Sequence, residues 1–595
     1  MIDDFRSELR ERRIEGRFRV YKNNIRTRVQ ETGKQDKCRL KWVEDLILNP
    51  VESSGQAEQF TRRLYAISET ADALDGILNE TSMKLLSENV VRNKSEHQMI
   101  DDPFQFLAQQ IRLSQEAIGR GFQTLTPAEK KTLEAGLYSQ TTLEATEGYR
   151  FGGSDRGHQL IALLLRIKQK EILNAGFHLA ELSKTAFIEK LRNFYRDPAN
   201  RSVLREFRTP IGVILVGGDG PNIYNLDRSS AICAVIDFGG DDVYEEGTVG
   251  LKRPVLAIID FGGNDQYRGR SPGIQGGAVM GASLLIDLAG EDSYHSQDVA
   301  QGSSLAGVGI LIDEKGNDSY VGDRRIQGQS VAGFGILLDR SGKDTYRAAL
   351  YAQGSGGPLG AGVLIDRTGD DHYFAGGKYP DSYHDSPGFG SWSQGIGTGT
   401  RDVANGGIGV LLDGTGNDVY EADYFSHGGG YWFGAGFARD FEGHDRRLGP
   451  VRSNFDGSIR SEKSYLRWGT GFGCHFAAGF VFDDEGNDTY YGNWASIAYA
   501  WDFAVGVIFD GNGNDRYHST GSGTAEARDS GFAALIDLRG TDRYTGDGLG
   551  RAEQNEGIIS FAILQDRDGF DTFSQPVRNH SKASRGWPGG IFLDR

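Results

Sequence analysis

The chain has 595 residues, too many for one compact core, and 84 of them are glycine against only 14 prolines. Glycine in that number without a Gly-X-Y triplet excludes collagen and points to regularly spaced turns. The formal charge of −17 is uneven: residues 1–205 carry 33 Lys+Arg against 29 Asp+Glu, so the remainder must hold about −21. An acidic body of that kind is expected to repel nucleic acid and anionic membranes and to attract cations.

The three cysteines, Cys38, Cys233 and Cys474, are far apart and suggest neither a disulfide framework nor a zinc knuckle. No apolar run reaches the length of a transmembrane helix. The charged opening "MIDDFRSELRERR" lacks the apolar centre of a secretory signal, which by itself favours a cytoplasmic location. Export through an uncleaved C-terminal signal, or loss of a leader, leaves the same pattern.

Residues 1–205 read as an all-α domain of five to seven helices. Thr126, Pro127 and Glu129 form a capping box at one helix start. The stretch from His158 to Tyr195 reads as one long helix or two in series, with Leu160, Leu164, Ile167, Leu179, Leu182 and Leu191 as the apolar stripe of a bundle core.

From residue 206 to 595 a different period takes over. Phrases such as "LIDEKGNDSY", "LLDRSGKDTY", "LLDGTGNDVY" and "IFDGNGNDRY" recur, and their first aspartates fall at 237, 260, 287, 313, 339, 366, 413, 440, 483, 510, 537 and 566. Most steps are 26–29 residues, a solenoid-scale repeat. The copy at Asp440, "FARDFEGHDRR", is degenerate and lacks the tyrosine. Within "AGVGILID", Ala306, Val308, Ile310 and Ile312 alternate with Gly307, Gly309, Leu311 and Asp313. That period of two predicts one strand per coil, stacked into a parallel β-solenoid of about 12 coils, roughly 55–60 Å tall at about 4.8 Å per coil. The larger residues are expected to point inward, leaving the glycines and the first aspartate outward. The turn glycine is expected to supply positive φ. The fold class is thus α+β and multidomain, with the helical domain capping the first coil's edge or attached beside it.

"DGTGND" at 413–418 resembles the glycine- and aspartate-rich repeat of RTX calcium-binding β-rolls. The resemblance implies calcium as the cofactor, with Asp318, Asp418, Asp488 and Asp515 as ligands and backbone oxygens from Gly416 or Gly513. The candidate metal set, taking both aspartates of five phrases, is Asp313, Asp318, Asp339, Asp344, Asp413, Asp418, Asp483, Asp488, Asp510 and Asp515. The departures are that this turn comes once per coil, not every nine residues, and that tyrosine follows the aspartate. The other reading of the same residues is turn chemistry alone, each aspartate accepting from turn amides and the tyrosines packing as a ladder. A further row, Gln275, Gln301, Gln327, Gln353 and Gln394, is expected to form an amide ladder at a corner.

Two longer intervals interrupt the repeat near 374–404 and 421–470. Trp392, Trp432, Tyr465 and Trp468 there are candidate ligand-binding platforms. Asp385, Asp440, His384, His427 and His444 are the candidates for acid–base catalysis, should two carboxylates converge. Two functions stand at this point. One is a non-enzymatic scaffold or binding protein of a bacterial surface, extracellular or in the cell envelope, with a polysaccharide or protein partner and calcium-stabilised coils. The other is a carbohydrate-active β-helix enzyme, a lyase or hydrolase, with its site in the inserted loops.

Overall fold

A computed structural model of the chain describes residues 2–594 apart from 33–37, 71, 87–100, 147–154, 198–203, 382–387, 461–466, 554–558, 575–576, 578–579 and 587–588. His384, Asp385 and Tyr465 lie outside the described residues.

The helical part holds ten α-helices among the described residues, more than the sequence suggests. They are α1 (Ile2–Glu11), α2 (Glu15–Thr32), α3 (Lys41–Leu48), α4 (Pro50–Ser68), α5 (Ala73–Leu86), α6 (Pro103–Gly121), α7 (Pro127–Thr146), α8 (Asp155–Leu164), α9 (Gln169–Ala180) and α10 (Thr185–Arg196). The capping box forms: the Thr126 N–H donates to Glu129 Oε2 at 2.8 Å and the Glu129 N–H to Thr126 Oγ1 at 3.2 Å. The long stripe from His158 to Tyr195 breaks into three helices rather than one or two, separated by a turn over 165–168 and a 3-10 segment, Glu181–Ser183.

The second part is the expected parallel β-solenoid. Each full coil contributes a long strand, the Asp-turn, a short strand carrying the tyrosine, and a third side that returns through the glutamine corner. The long strands stack in register, Asp287 to Asp313 to Asp339, and Asp413 to Asp440 to Asp483 to Asp510. The short strands stack likewise, Tyr294 to Tyr320 to Tyr346. Both ends of the long sheet are closed by antiparallel strands, Arg205–Thr209 on the first coil and Lys582–Ser584 on the last. Edge protection therefore comes from the solenoid's own chain and not from a helical cap.

The faces are the reverse of the expected ones. Leu285, Leu311, Leu337, Leu364 and Leu411 share an interior core with the tyrosines, whereas Val308, Ile310 and Ile312 belong to the core built with the helices. Alternation separates two faces of a strand but does not say which is inside, and here both are buried. The interior is too thin for large side chains at every position. A Cβ on Gly309 would strike the backbone oxygen of Ser303 on the opposite side of its own coil. The space over these glycines is filled by the coil's third side.

The outer face is covered by the helical layer, which runs antiparallel to the coil order. Phe5 and Phe18 meet Phe532 and Phe561 of late coils, at centroid distances of 5.1–6.1 Å. Trp42 stacks on Phe437 at 5.3 Å in the middle, and Tyr195 stacks on Phe238 at 4.3 Å near the start. The helices thus lie along the flank. Phe437 is wholly buried between Trp42, Phe60 and Phe480. Phe437→Ala is expected to cost about 3–5 kcal/mol in denaturant unfolding, against less than about 0.5 kcal/mol for the exposed Phe570→Ala. Equal effects would mean that the helices are not seated on this sheet.

Candidate functional site

The two aspartates of each phrase lie inside the solenoid, in adjoining columns that run its length. Asp313, Asp339, Asp413, Asp483 and Asp510, expected at the surface, are at most 1 % exposed, and Asp318, Asp344, Asp418, Asp488 and Asp515 at most 2 %. The inversion of the strand faces is the reason: the first aspartate shares the interior parity of Leu311.

From Asp237 to Asp440 each first aspartate accepts from the tyrosine of the preceding coil, whereas Asp483 accepts from Tyr490 of its own coil. Tyr294 Oη donates to Asp313 Oδ2 at 2.7 Å, Tyr320 to Asp339 at 2.7 Å and Tyr373 to Asp413 at 2.6 Å. The tyrosines form the expected ladder, stacked 4.6–4.9 Å apart from Tyr224 to Tyr420. Each second aspartate accepts the backbone N–H of its counterpart one coil earlier: Asp292 N to Asp318 Oδ1 at 2.6 Å, Asp371 N to Asp418 Oδ1 at 2.6 Å and Asp488 N to Asp515 Oδ1 at 2.7 Å. The turn chemistry read from the sequence is present, but it uses only one oxygen of the second carboxylate.

The other oxygen is left over. Oδ2 of Asp292, Asp318, Asp344, Asp371, Asp418, Asp488 and Asp515 is buried and meets no hydrogen-bond donor, and Oδ1 of Asp413, Asp483 and Asp510 is in the same state. These oxygens converge. In Asp292–Asp313–Asp318, Asp318–Asp339–Asp344 and Asp344–Asp366–Asp371, one carboxylate oxygen from each residue lies within 4.8 Å of the other two. The turn glycine completes the arrangement through the Cβ it lacks. A methyl group on Gly316 would overlap Gly290 O and both oxygens of Asp318, and one on Gly342 would overlap Gly316 O. Glycine is required at these two turns for room and not for positive φ, since neither adopts it. The carbonyls of Gly416 and Gly513 likewise point at the turns of Gly443 and Gly540, beside Asp445 and Asp542.

Burial makes these carboxyls hold protons wherever no cation neutralises them. Removal from water, followed by the neighbouring Asp339, pushes Asp318 up to about 8 and Asp344 to about 10. Burial with Asp440 takes Asp418 to about 9, and burial with Asp510 takes Asp515 to about 11. Two facing carboxylates cannot both be anions and hydrogen-bond each other. A proton or a cation must lie between them. Several buried carboxylate oxygens with a backbone carbonyl beside them are the donor set of a hard divalent cation such as calcium.

The charge reading changes with this geometry. The column aspartates outnumber the chain's formal charge of −17, so the negative balance is an interior property, and its sign says nothing about the outer surface.

The described tryptophans of the inserted intervals are packed against neighbouring rings of the protein. Trp392 stacks on Phe425 at 3.9 Å, Trp432 lies edge-on to Phe433, and Trp468 is enclosed by Phe472, Trp494, Tyr499 and Trp501. All three are at most 5 % exposed, so protein already occupies the faces that a sugar would need. Asp440 belongs to the interior column and is fully buried, with its pKa raised by burial. His427 is buried at the glutamine corner and held neutral, its pKa lowered to about 3 by burial and then by Arg447. His444 is exposed and accepts the Asn487 N–H at 2.9 Å in an outer ladder. The described candidates are therefore not brought together. The glutamines do not bond one another; Gln301 and Gln327 donate to the carbonyls of Tyr294 and Tyr320 at 3.0 and 2.9 Å.

Sequence reasoning missed Arg447. It occupies the tyrosine position of the degenerate copy, in register between Tyr420 and Tyr490, and the lost tyrosine of "FARDFEGHDRR" was its signal. No family model, no curated protein and no solved structure matches the chain.

Proposed function

We propose that the protein is a rigid, non-enzymatic scaffold whose coils are tied together by calcium ions taken up along the aspartate column. The observation that carries this reading is the repeated, buried second-aspartate Oδ2 that meets no donor. A solenoid with turn chemistry alone has no use for that oxygen, and an unsatisfied buried carboxylate is costly. Asp318, Asp344, Asp418, Asp488 and Asp515 would be the principal ligands, with Asp313, Asp339, Asp413, Asp483 and Asp510 and the turn carbonyls beside them. The ion's contribution is charge neutralisation between successive coils. The chain supplies spacing, dryness and the tyrosine hydroxyls that fix the first aspartate. Support against the enzyme reading comes from the burial of Trp392, Trp432 and Trp468 and from the position of Asp440 inside the stack.

The test is a pair of melting curves near neutral pH, one in excess EDTA and one in millimolar calcium. Sites filled at 100 times their dissociation constant add about 2.7 kcal/mol each. The expected rise is several degrees, with several calcium ions retained per chain after gel filtration. Superimposable curves and a metal-free protein would remove the reading.

A further inference from the structure

Between Tyr224 and Tyr544 the tyrosine ladder is uniform except at one rung, and it ends on Phe573, stacked on Tyr544 at 5.1 Å. From Tyr224 to Tyr420, and again from Tyr490 to Tyr544, every position of the ladder is a tyrosine whose hydroxyl touches a first aspartate. Between these two runs stands Arg447. Its guanidinium lies 4.7 Å from the ring centre of Tyr420 and 5.6 Å from that of Tyr490, so it continues the stack as a planar cation. The side chain is 3 % exposed. Nη1 is 3.0 Å from Asp483 Oδ2 and Nη2 is 3.9 Å from Asp440 Oδ2, so one guanidinium faces the first aspartates of two successive coils. Among the described residues no other basic side chain occupies a ladder position.

The glutamine row ends before this coil, whose corner position holds His427, at φ 45° against 61° for Gln394, each followed by a glycine of positive φ, Gly428 and Gly395. A neutral histidine beside Arg447 adds no second charge to the rung.

We infer that Arg447 supplies, between Asp440 and Asp483, the positive charge that a bound cation supplies at the other rungs, so that the chain carries its own counter-ion there and the cation ladder is divided into two strings. This rests on the reading of the column as a calcium ladder. The chemistry is charge substitution: one tethered monovalent, delocalised cation stands in the tyrosine position against Oδ2 of Asp440 and Asp483, and its charge acts on the adjoining Oδ1 of Asp440 and Asp483 and Oδ2 of Asp445 and Asp488, which meet no donor at this rung either. A carboxylate pair already neutralised by a guanidinium has little left with which to hold a divalent ion.

The experiment is native mass spectrometry of the calcium-loaded full chain, as wild type, R447Y and R447K, with circular dichroism to confirm the fold. R447Y restores the ladder residue found on either side and is expected to bind one calcium more than wild type. Its melting temperature in EDTA should fall by about 3 °C or more relative to wild type, with recovery in calcium. R447K keeps the charge and is expected to keep the wild-type count. Should R447Y not fold, R447M removes the same charge at similar length and carries the same comparison. An equal, non-zero count in wild type and R447Y would overturn the role of Arg447 and leave the calcium scaffold standing. Retention of calcium by neither protein would overturn both.

Discussion

In excess EDTA the melting temperature is expected to fall as the pH is raised from about 5 to about 9, whereas in millimolar calcium it should hold or rise over the same range. The sign follows from the direction of the shifts. An aspartate in the unfolded chain titrates near 3.8, but in the folded chain Asp318 titrates at about 8, Asp344 at about 10 and Asp418 at about 9, chiefly because burial penalises the anion. A carboxyl with a raised folded value favours the native state fully below about pH 4, and that advantage is lost as the pH climbs through the folded value. Each pKa unit is worth about 1.4 kcal/mol, and unfolding entropy for a chain of this length sets the exchange at roughly 1 kcal/mol per degree. One unit lost on each of ten aspartates is therefore a change on the order of 10 °C. Calcium reverses the slope because it binds the anions and displaces the protons, so its apparent affinity grows with pH. Parallel slopes in the two solutions would show that protons alone fill the column.

That experiment also separates the two readings the sequence left open. The recurring Asp-x-x-Gly-x-Asp-x-Tyr phrase established the coil and the vertical register that carries Asp313 over Asp339 and on to the strand ending before Asp366, both of which the structure carries. It did not say whether Asp313 faces water. Period-two alternation distinguishes Val308, Ile310 and Ile312 from Gly309, Leu311 and Asp313 without orienting either set. The decisive facts were three-dimensional. A third side of the coil lies against Gly309, and a helical layer lies against Val308, as shown by the close approach of Gly176 in α9 to that valine. A strand buried on both faces was legible only as a strand. The described platform candidates were misread for a related reason: aromatic residues in an insertion look alike whether they line a cleft or, as Trp392, Trp432 and Trp468 do, are buried against other rings. Arg447 was visible as an irregularity, but its meaning required knowing that the tyrosine position lies inside.

Removal of residues 1–204 is expected to leave a solenoid that cannot stay in solution as a monomer. The helical layer and the long sheet share one continuous core, from Phe5 against Phe532 at one end to Tyr195 against Phe238 at the other. Val308, Ile310, Phe334, Ile336, Phe437, Phe480, Phe532 and Phe561 are each at most 1 % exposed with the helices in place. At about 1.5–3 kcal/mol for each large apolar side chain returned to water, their exposure alone exceeds the net stability of most folded proteins. The bared strip would run the height of the stack, well beyond the few hundred Å² that soluble monomers usually tolerate. Polar ties across the same junction, Asp4 with Arg567 at 2.6 Å, Glu8 with Lys582 at 2.7 Å and Glu69 with Arg367 at 2.9 Å, set the register of the layer but are too exposed to replace that burial. Expressed alone, residues 205–595 should elute as aggregate in gel filtration, and calcium should not rescue them, because the ions act between coils and not on the outer face. Co-expression with residues 1–204 as a separate chain should restore a soluble 1:1 complex. A soluble, monomeric 205–595 fragment with the full-length protein's β-sheet circular dichroism would mean that the helical layer is an accessory to the solenoid and not the other half of its core.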